Sequence, residues 1–329
     1  MEKRDSIASK IAIAIGDPNG IGPELAVKAA LSLVGSDLQA VIVGDAFVIQ
    51  EYARRHAAGI ALRPLAQTGG DAKNEIVYFP VEALAPAAFK PGQVDPAAGL
   101  ATVAYVRAAV QLAQAGEVKA IVGCPHSETA INSAGIAFSG YPQLIAQLTG
   151  TPENKVFLML AAAGLRIAHV TLHESVQHAL ARMSADLVVE AGVATIEACR
   201  RLGLENATLG MFGINPHAGE NGLFGDEDER ITKPAVQRLR ALGIAADGPV
   251  GADLFLGQRR HDVYLAMFHD QGHIPIKLLS PLRASALTIG AGILFSSVGH
   301  GSAFDIAGRG VADPVAVIET LALLHAAKN

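Results

Sequence analysis

Three histidines stand where short apolar runs give out: His173 in VTLHES, His217 in INPHAGE and His269 in MFHDQGH. Three neutral imidazoles with an open fourth position make a catalytic zinc arrangement, and a Lewis acid serves any reaction that must form an alkoxide or enolate. Taken singly, each histidine is more often a hydrogen-bonded structural residue; the shared position after a run is what raises the joint reading level with that alternative. Lys277 follows His269 by eight residues, in HIPIK. Flanked by apolar residues, its ammonium could hold a substrate carboxylate or, with its pKa lowered, move a proton. A surface lysine with a buried stem is the alternative. Asp270 and Glu174 each directly follow one of the histidines and suit the orienting of imidazoles or bridging through water. His169 precedes His173 by four, the spacing of a helical metal pair, but RIAHVTLH alternates as a strand does, so His169 is expected buried and hydrogen-bonded. His126, His273 and His300 fall in turns that could build a site or cap backbone groups, and His56, His178, His261 and His325 read as solvated.

The elements that must position these groups alternate. IAIAI (Ile11 to Ile15) is an apolar run cut off by Gly16, Asp17 and Pro18, the pattern of a strand buried on both faces. GIGPE restarts the chain as a helix, with Pro23 in its first turn and Glu24 where the helix dipole favours a carboxylate. The turn is no dinucleotide fingerprint, because no third glycine follows Gly22 by three residues and there is no Walker lysine. A phosphate cradle and a plain tight connection both fit it. AVIVG, EIVYF, AIVGC, VFLML, LRIAHVTLH, TLGMFG, HDVYLAMFHD, ASALTI and ILFSSV read as further strands, with His269 and Asp270 delivered by the end of HDVYLAMFHD. Between Gly59 and Pro96 EIVYF is the one strand expected. Helices are expected from Ala46 to Ala58, Ala97 to Ala115 and Ser184 to Leu202, the last with Ser184 as N-cap. Such alternation predicts a parallel α/β sheet with ligands at the carboxyl ends of strands, where GDPNG and GCPHSE fall.

The chain of 329 residues is half apolar and only 17% charged, enough for two cores. A net charge of −5 without a basic run offers no footprint for nucleic acid or an anionic membrane. Cys124 and Cys199 make no disulfide framework and are expected as small buried residues in a reducing compartment. IAIAI after the charged opening MEKRDSIASK is too short for a signal segment, and VFLMLAAAGL falls short of the roughly 20 residues that a membrane helix needs. A soluble, cytoplasmic protein is expected.

HGSAFDIAGRGVADP (300–314) resembles the cofactor loop of isopropylmalate and isocitrate dehydrogenases, and GDPNGIGPE resembles their N-terminal Gly-rich turn. The resemblance implies NAD bound without a Rossmann fingerprint, by His300, Gly301, Ser302, Ala303, Asp305 and Ile306. Asp305 would hold the adenine ribose hydroxyls and disfavour NADP, whose 2′-phosphate would face a carboxylate. Over the whole chain the sequence is more similar to the 4-hydroxythreonine-4-phosphate dehydrogenase family, whose NPHAGE and HDQG motifs it carries. That family implies an isocitrate/isopropylmalate dehydrogenase-like, two-domain α/β/α sandwich. Residues 1–130 plus 284–329 would bind the nucleotide, and 131–283 would bind metal and substrate and form the dimer. It also implies His173, His217 and His269 as ligands of a divalent ion, most simply zinc, and Lys277 at a small-molecule substrate. The assembly implied is a homodimer with its site in an interdomain cleft, some ligands crossing from the partner subunit.

Departures from the family bear on the substrate. Tyr141 and Pro142 stand where it has His-Thr, Ala286 where it has an asparagine and Phe295 where it has an arginine. Losing guanidinium and amide donors removes the means of holding a phosphate, and a pocket of Tyr141, Ala286 and Phe295 suits a ring. CPHSETAI, AGIAFSGYP, GLRIAHVTLHESV, HDQGHIPIKLL and SSVGHGSA resemble the terephthalate cis-dihydrodiol dehydrogenase branch, with similarity from about Ile11 to Leu321. That branch implies oxidative decarboxylation of a cyclic dihydrodiol dicarboxylate to protocatechuate, with Lys277 and Asp270 as catalytic residues. Dehydrogenation of 4-phosphohydroxythreonine or a related phosphorylated 3-hydroxy acid stays open, as does a metal-dependent binding module without catalysis.

Overall fold

The apolar runs become strands, and the polar turns after them become the places where helices start. The structure, a computed structural model, describes residues 9–68 and 74–327. Of the charged opening MEKRDSIASK, residues 1–8 lie outside them. Two compact units form: one of the residues up to Gly140 together with Phe295–His325, the other of Tyr141–Leu294 with the chain end from Ala326.

The first unit opens with β1 (Ser9–Ala14), α1 (Gly22–Ser32), β2 (Leu38–Gly44), α2 (Ala46–His56), β3 (Ala61–Pro64) and β4 (Glu75–Pro80). It continues with α3 (Pro96–Gln114), β5 (Ala120–Gly123) and α4 (Glu128–Ser133). The second unit runs from α5 (Tyr141–Thr149) through β6 (Phe157–Ala162), β7 (Leu165–His169), α6 (Val176–Arg182) and α7 (Ala185–Arg201). Then come β8 (Leu209–Phe212), α8 (Lys233–Ala241), β9 (Ala246–Val250), α9 (Ala252–Gln258), β10 (Val263–Ala266), α10 (His269–Leu279) and β11 (Ser285–Ile289). The chain returns to the first unit with β12 (Phe295–Val298) and α11 (Val315–His325).

In the first unit the strand order is β3-β4-β2-β1-β5-β12, every pair parallel. Ile11 to Ile15 and Val41 to Val43 are fully buried, as a strand covered on both faces must be. Helices α1, α3 and α11 supply the cover, and each buried isoleucine side chain contributes about 2 kcal/mol relative to exposure. β3 is a strand where the sequence predicts irregular chain. With only four residues and half its side chains exposed at the sheet edge, it had no apolar run to betray it.

In the second unit the order is β11-β6-β7-β10-β8-β9. Here the parallel expectation needs correcting: β6 is antiparallel to both β7 and β11, and only β7, β10, β8 and β9 run parallel. AAAG closes β6 on β7 with Ala163 and Gly164 left-handed (φ 49° and 77°), which brings two buried strands together without a crossover helix. Ser184 caps α7 through Oγ to the Leu187 N–H at 3.2 Å, and α7 packs on β6, β7 and β10. Leu158, Leu160, Ile167, Phe212, Tyr264 and Ile276 form the core on which α10 rests.

Candidate active site

α10 does most of the positioning. The sequence predicts His269 and Asp270 at the end of a strand, but β10 stops at Ala266 and His269 opens the helix. Gln271 explains the start: its Oε1 accepts from the N–H groups of Met267 (2.9 Å) and Phe268 (3.1 Å), while its Nε2 donates to the Gly213 carbonyl (2.9 Å). Helical spacing then puts His269, His273 and Lys277 on one face, at i, i+4 and i+8. Pro275, inside the helix, costs it one hydrogen bond and hides it from a reading of the sequence.

The imidazoles form a row. His269 and His273 stack with ring centroids 3.6 Å apart at 12°, and His273 lies 4.7 Å from His169 of β7. His173, beyond the end of β7, has its ring 5.6 Å from that of His269. His169 is fully buried, as expected, and its Nδ1 donates to the Leu158 carbonyl at 3.2 Å. Burial, then the neighbouring His273, pushes its pKa down to about 3. Burial and then His269 push His273 down to about 4. Both rings are neutral at physiological pH, so the row is uncharged where it is packed. Asp270 Oδ1 lies 2.8 Å from His269 Nδ1, which makes that nitrogen the donor and leaves the lone pair on Nε2. Burial lowers the Lys277 ammonium below its ordinary pKa.

Glu174, beside His173, is engaged by the helix that follows, α6. Its carboxylate is taken by Arg182 (2.5 to 2.9 Å) and by His178 (2.9 Å), and Arg182 above all holds its pKa below the usual range. His261, expected solvated, has a side chain only 8% exposed and pairs with Asp247 at 3.0 Å. A cavity of about 300 Å³ opens beside the row, lined by Thr171, Leu172, His173, Val176, Phe268 and His269 among others. Leu172, Val176 and Phe268 were not singled out from sequence, since an apolar residue at a strand end carries no sign of which surface it faces. Of the expected pocket residues, Tyr141 is buried at the head of α5, Ala286 is half-buried on β11 and Phe295 is fully buried on β12. None of the three is among the residues lining that cavity.

His217 stands apart. NPHAGE is held by Asp228, whose carboxylate accepts from Ile214 N–H (2.8 Å), Asn215 N–H (2.9 Å) and Thr232 Oγ1 (2.6 Å). His217 and Ala218 are left-handed (φ 53° and 52°), a strained conformation for non-glycine residues. The His217 side chain is 72% exposed, with Nδ1 3.0 Å from Glu220 Oε2. Among the described residues no three His, Cys, Asp or Glu side chains are grouped to hold a metal ion. One chain therefore brings His173 and His269 together and leaves His217 outside. Two imidazoles bound tetrahedrally to one ion at about 2 Å have ring centroids about 5 Å apart, so the 5.6 Å between His173 and His269 fits two ligands of a divalent ion.

In the first unit, the Gly-rich turn after β1 settles the choice left open by its sequence. The Asp17 N–H donates to the Pro125 carbonyl, Asn19 N–H to Asp17 Oδ1, Gly20 N–H to the Asp17 carbonyl and Ile21 N–H to the Ser302 carbonyl, all at 2.9 to 3.0 Å. Those four donors are spent inside the protein, so these N–H groups do not form a phosphate cradle; they make a tight connection that docks the loop of residues 299–313. Gly20 lies so close to this loop that a Cβ would stand 2.9 Å from Ser302 Cβ. His300 is half-buried, Gly301 exposed and Ser302 buried; Ala303 is left-handed (φ 42°), and Ile306 N–H bonds back to the Ala303 carbonyl at 3.1 Å. The resulting turn leaves Asp305 exposed and Ile306 half-buried.

Such a fold defines a class. The structure of a β-decarboxylating dehydrogenase from Thermococcus kodakarensis aligns at TM-score 0.51 and 16% identity over 96% of this chain and 82% of that one, a likeness of fold alone. The chain belongs to the PdxA family, pyridoxal phosphate biosynthetic protein PdxA, whose model matches residues 36–324. It is 52% identical to the 1,2-dihydroxy-3,5-cyclohexadiene-1,4-dicarboxylate dehydrogenase of a Comamonas species, over 96% of this chain and 97% of that protein. Among solved structures it resembles a terephthalate 1,2-cis-dihydrodiol dehydrogenase from Burkholderia xenovorans LB400 (48% identity, TM-score 0.76, 97% and 98% of the two chains). It also resembles a 4-hydroxythreonine-4-phosphate dehydrogenase from Klebsiella pneumoniae (33% identity, TM-score 0.84, 97% and 100%). These relatives are dehydrogenases, and the chain is an oxidoreductase.

Proposed function

We propose that this enzyme oxidises and decarboxylates 1,2-dihydroxy-3,5-cyclohexadiene-1,4-dicarboxylate to protocatechuate and CO2 with NAD. The observation that carries this reading is the 52% identity, over nearly the full length of both chains, to the Comamonas dehydrogenase of that name. The first unit would seat NAD on His300, Gly301, Ser302, Ala303, Asp305 and Ile306, with the exposed Asp305 carboxylate at the adenine ribose hydroxyls. His173 and His269 would hold a divalent ion, zinc by their imidazole chemistry, completed by His217 of a second copy in a homodimer. When bound there, the ion supplies Lewis-acid polarisation of the substrate's C2 oxygen.

The chain's own residues do the rest. Asp270 keeps the His269 proton on Nδ1 and leaves the lone pair on Nε2. Lys277, whose ammonium burial makes easier to deprotonate, anchors the C1 carboxylate as the ammonium or takes the C2 hydroxyl proton as the neutral amine. Hydride leaves C2 for the nicotinamide and the hydroxyl loses its proton, giving a β-keto acid. The C1–carboxylate bond then breaks, CO2 departs, and the electron pair stays in the ring as the phenolate of protocatechuate. Aromatisation drives this second step.

A cytoplasmic location accords with two buried cysteines, Cys124 and Cys199, that are not joined in a disulfide, and no helix among the described residues is long and apolar enough to cross a membrane. A second reading, oxidation of 4-phosphohydroxythreonine, draws on the family's description and the Klebsiella structure. Against it stand Ala286 and Phe295, which offer a phosphate neither charge nor side-chain donor. Steady-state turnover of the two substrates by the metal-loaded enzyme separates the readings: a kcat/KM for the dihydrodiol at least about a hundredfold higher supports the first, and the reverse order overturns it.

A further inference from the structure

We propose that the Glu24–Lys28 pair of α1 is the device that positions the Gly-rich loop for nucleotide binding, an inference that rests on reading this loop as the seat of NAD. Glu24 is fully buried. Its Oε1 accepts from the Ala312 N–H at 2.8 Å and its Oε2 from the Gly310 N–H at 3.2 Å. Lys28, one turn on, spends its ammonium on Glu24 Oε1 (2.6 Å), the Gly310 carbonyl (2.9 Å) and the Ala312 carbonyl (2.9 Å). Two side chains thus grip both the donor and the acceptor of two loop residues. The loop's other end is tied to the start of the same helix, through Ile21 N–H to the Ser302 carbonyl and through the contact of Gly20 with Ser302. The Ala303–Ile306 turn, with its exposed Asp305, is suspended between these anchors.

Stability alone does not account for the arrangement. A buried ion pair roughly cancels its attraction against the cost of leaving water, and an apolar pair would pack α1 just as well. An apolar pair could not fix backbone register, because it has nothing to offer an N–H or a carbonyl. Four loop peptide groups bound at set distances are what the charged pair adds, and between Ser302 and Val315 the chain has no helix or strand to hold it in place.

The test uses the full-length protein and ADP-ribose, which engages the adenine half of the site without chemistry. Lys28→Met should raise the Kd for ADP-ribose by about tenfold or more. Glu24→Gln, which keeps one carbonyl acceptor, should raise it by less, and Glu24→Ala by more. KM for NAD should follow Kd while kcat at saturating NAD falls less than about threefold, a split that a general loss of structure does not give. Amide exchange in the unaltered protein supplies an independent measure: the Gly310 and Ala312 N–H groups should exchange far more slowly than that of the exposed Gly301. If the unaltered protein does not bind ADP-ribose, the reading of the loop falls and this inference with it. If it binds and Lys28→Met binds equally well, or if Gly310 and Ala312 exchange as fast as Gly301, the positioning role alone is overturned.

Discussion

Asp17, in the turn after β1, holds one carboxylate oxygen on the Asn19 N–H, while the other is buried with no hydrogen-bond partner among the described residues. Burial is the main reason its pKa is pushed up to about 6 from an ordinary 3.8, so the folded chain binds this proton more tightly than the unfolded chain does. The stabilisation is complete below the unfolded value and is lost as pH rises through about 6. A displacement of about two pH units is worth about 3 kcal/mol in full. Urea titrations should find the unaltered protein losing about 2 kcal/mol relative to Asp17→Asn between pH 4 and pH 7.5, and a pH-independent difference would contradict this. For Asp305 the expectation concerns the coenzyme: Asp305→Ala should lower the NAD:NADP ratio of kcat/KM by about tenfold or more, and an unaltered enzyme that already prefers NADP would refute the assignment. At this scale the sequence was informative where residue type alone limits the role. His173, His269 and Asp270 were singled out by chemistry and position, and the structure brings them together. His273 was left open between site and cap because its partner lies four residues back on a helix that the sequence did not announce. For Glu174 nothing in the sequence pointed to Arg182, eight residues on, which shares its carboxylate with His178.

α10 shows what an element adds to its residues. HDQGHIPIKLL opens as a strand would end and carries a proline, yet Gln271 caps it and Gly272 seats it. A Cβ at Gly272 would stand 2.2 Å from His169 Nε2 and 2.8 Å from Ile167 Cγ2, so glycine here is what lets the helix approach β7. Gly272→Ala should cost about 2 to 4 kcal/mol and spread the imidazole row. Thermal unfolding and zinc titration by calorimetry check it together; unchanged stability with unchanged metal affinity would show that α10 does not depend on this approach. The strands were legible as apolar runs, but their partners were not. ASALTI reads the same whether it pairs parallel or antiparallel, and nothing in its residues shows that β11 lies beside β6. Left-handed His217 and Ala218 were equally hidden, since neither residue type announces such a backbone.

For the molecule as a whole, a length of 329 residues made two domains the expectation, and the chain divides into compact units with breaks after Gly140 and Leu294. Spacing within one chain is silent about a second, so the proposal that His217 of one copy joins His173 and His269 of another needs its own test. Separation of His217 from His173 and His269 leads to a complementation experiment. His217→Ala and His269→Ala chains, each inactive alone, should regain up to roughly a quarter of full activity when co-expressed, as half the dimers are mixed and each mixed dimer has one complete site. No recovery in verified mixed dimers would mean that the histidines do not combine across subunits. The most direct test of the proposed reaction is to incubate the enzyme with NAD and 1,2-dihydroxy-3,5-cyclohexadiene-1,4-dicarboxylate while following NADH, CO2 and protocatechuate in the same sample. The two-step oxidation and decarboxylation predicts all three in a 1:1:1 ratio. NADH formed without CO2, or no turnover of the dihydrodiol by an enzyme that efficiently oxidises 4-phosphohydroxythreonine, would contradict it.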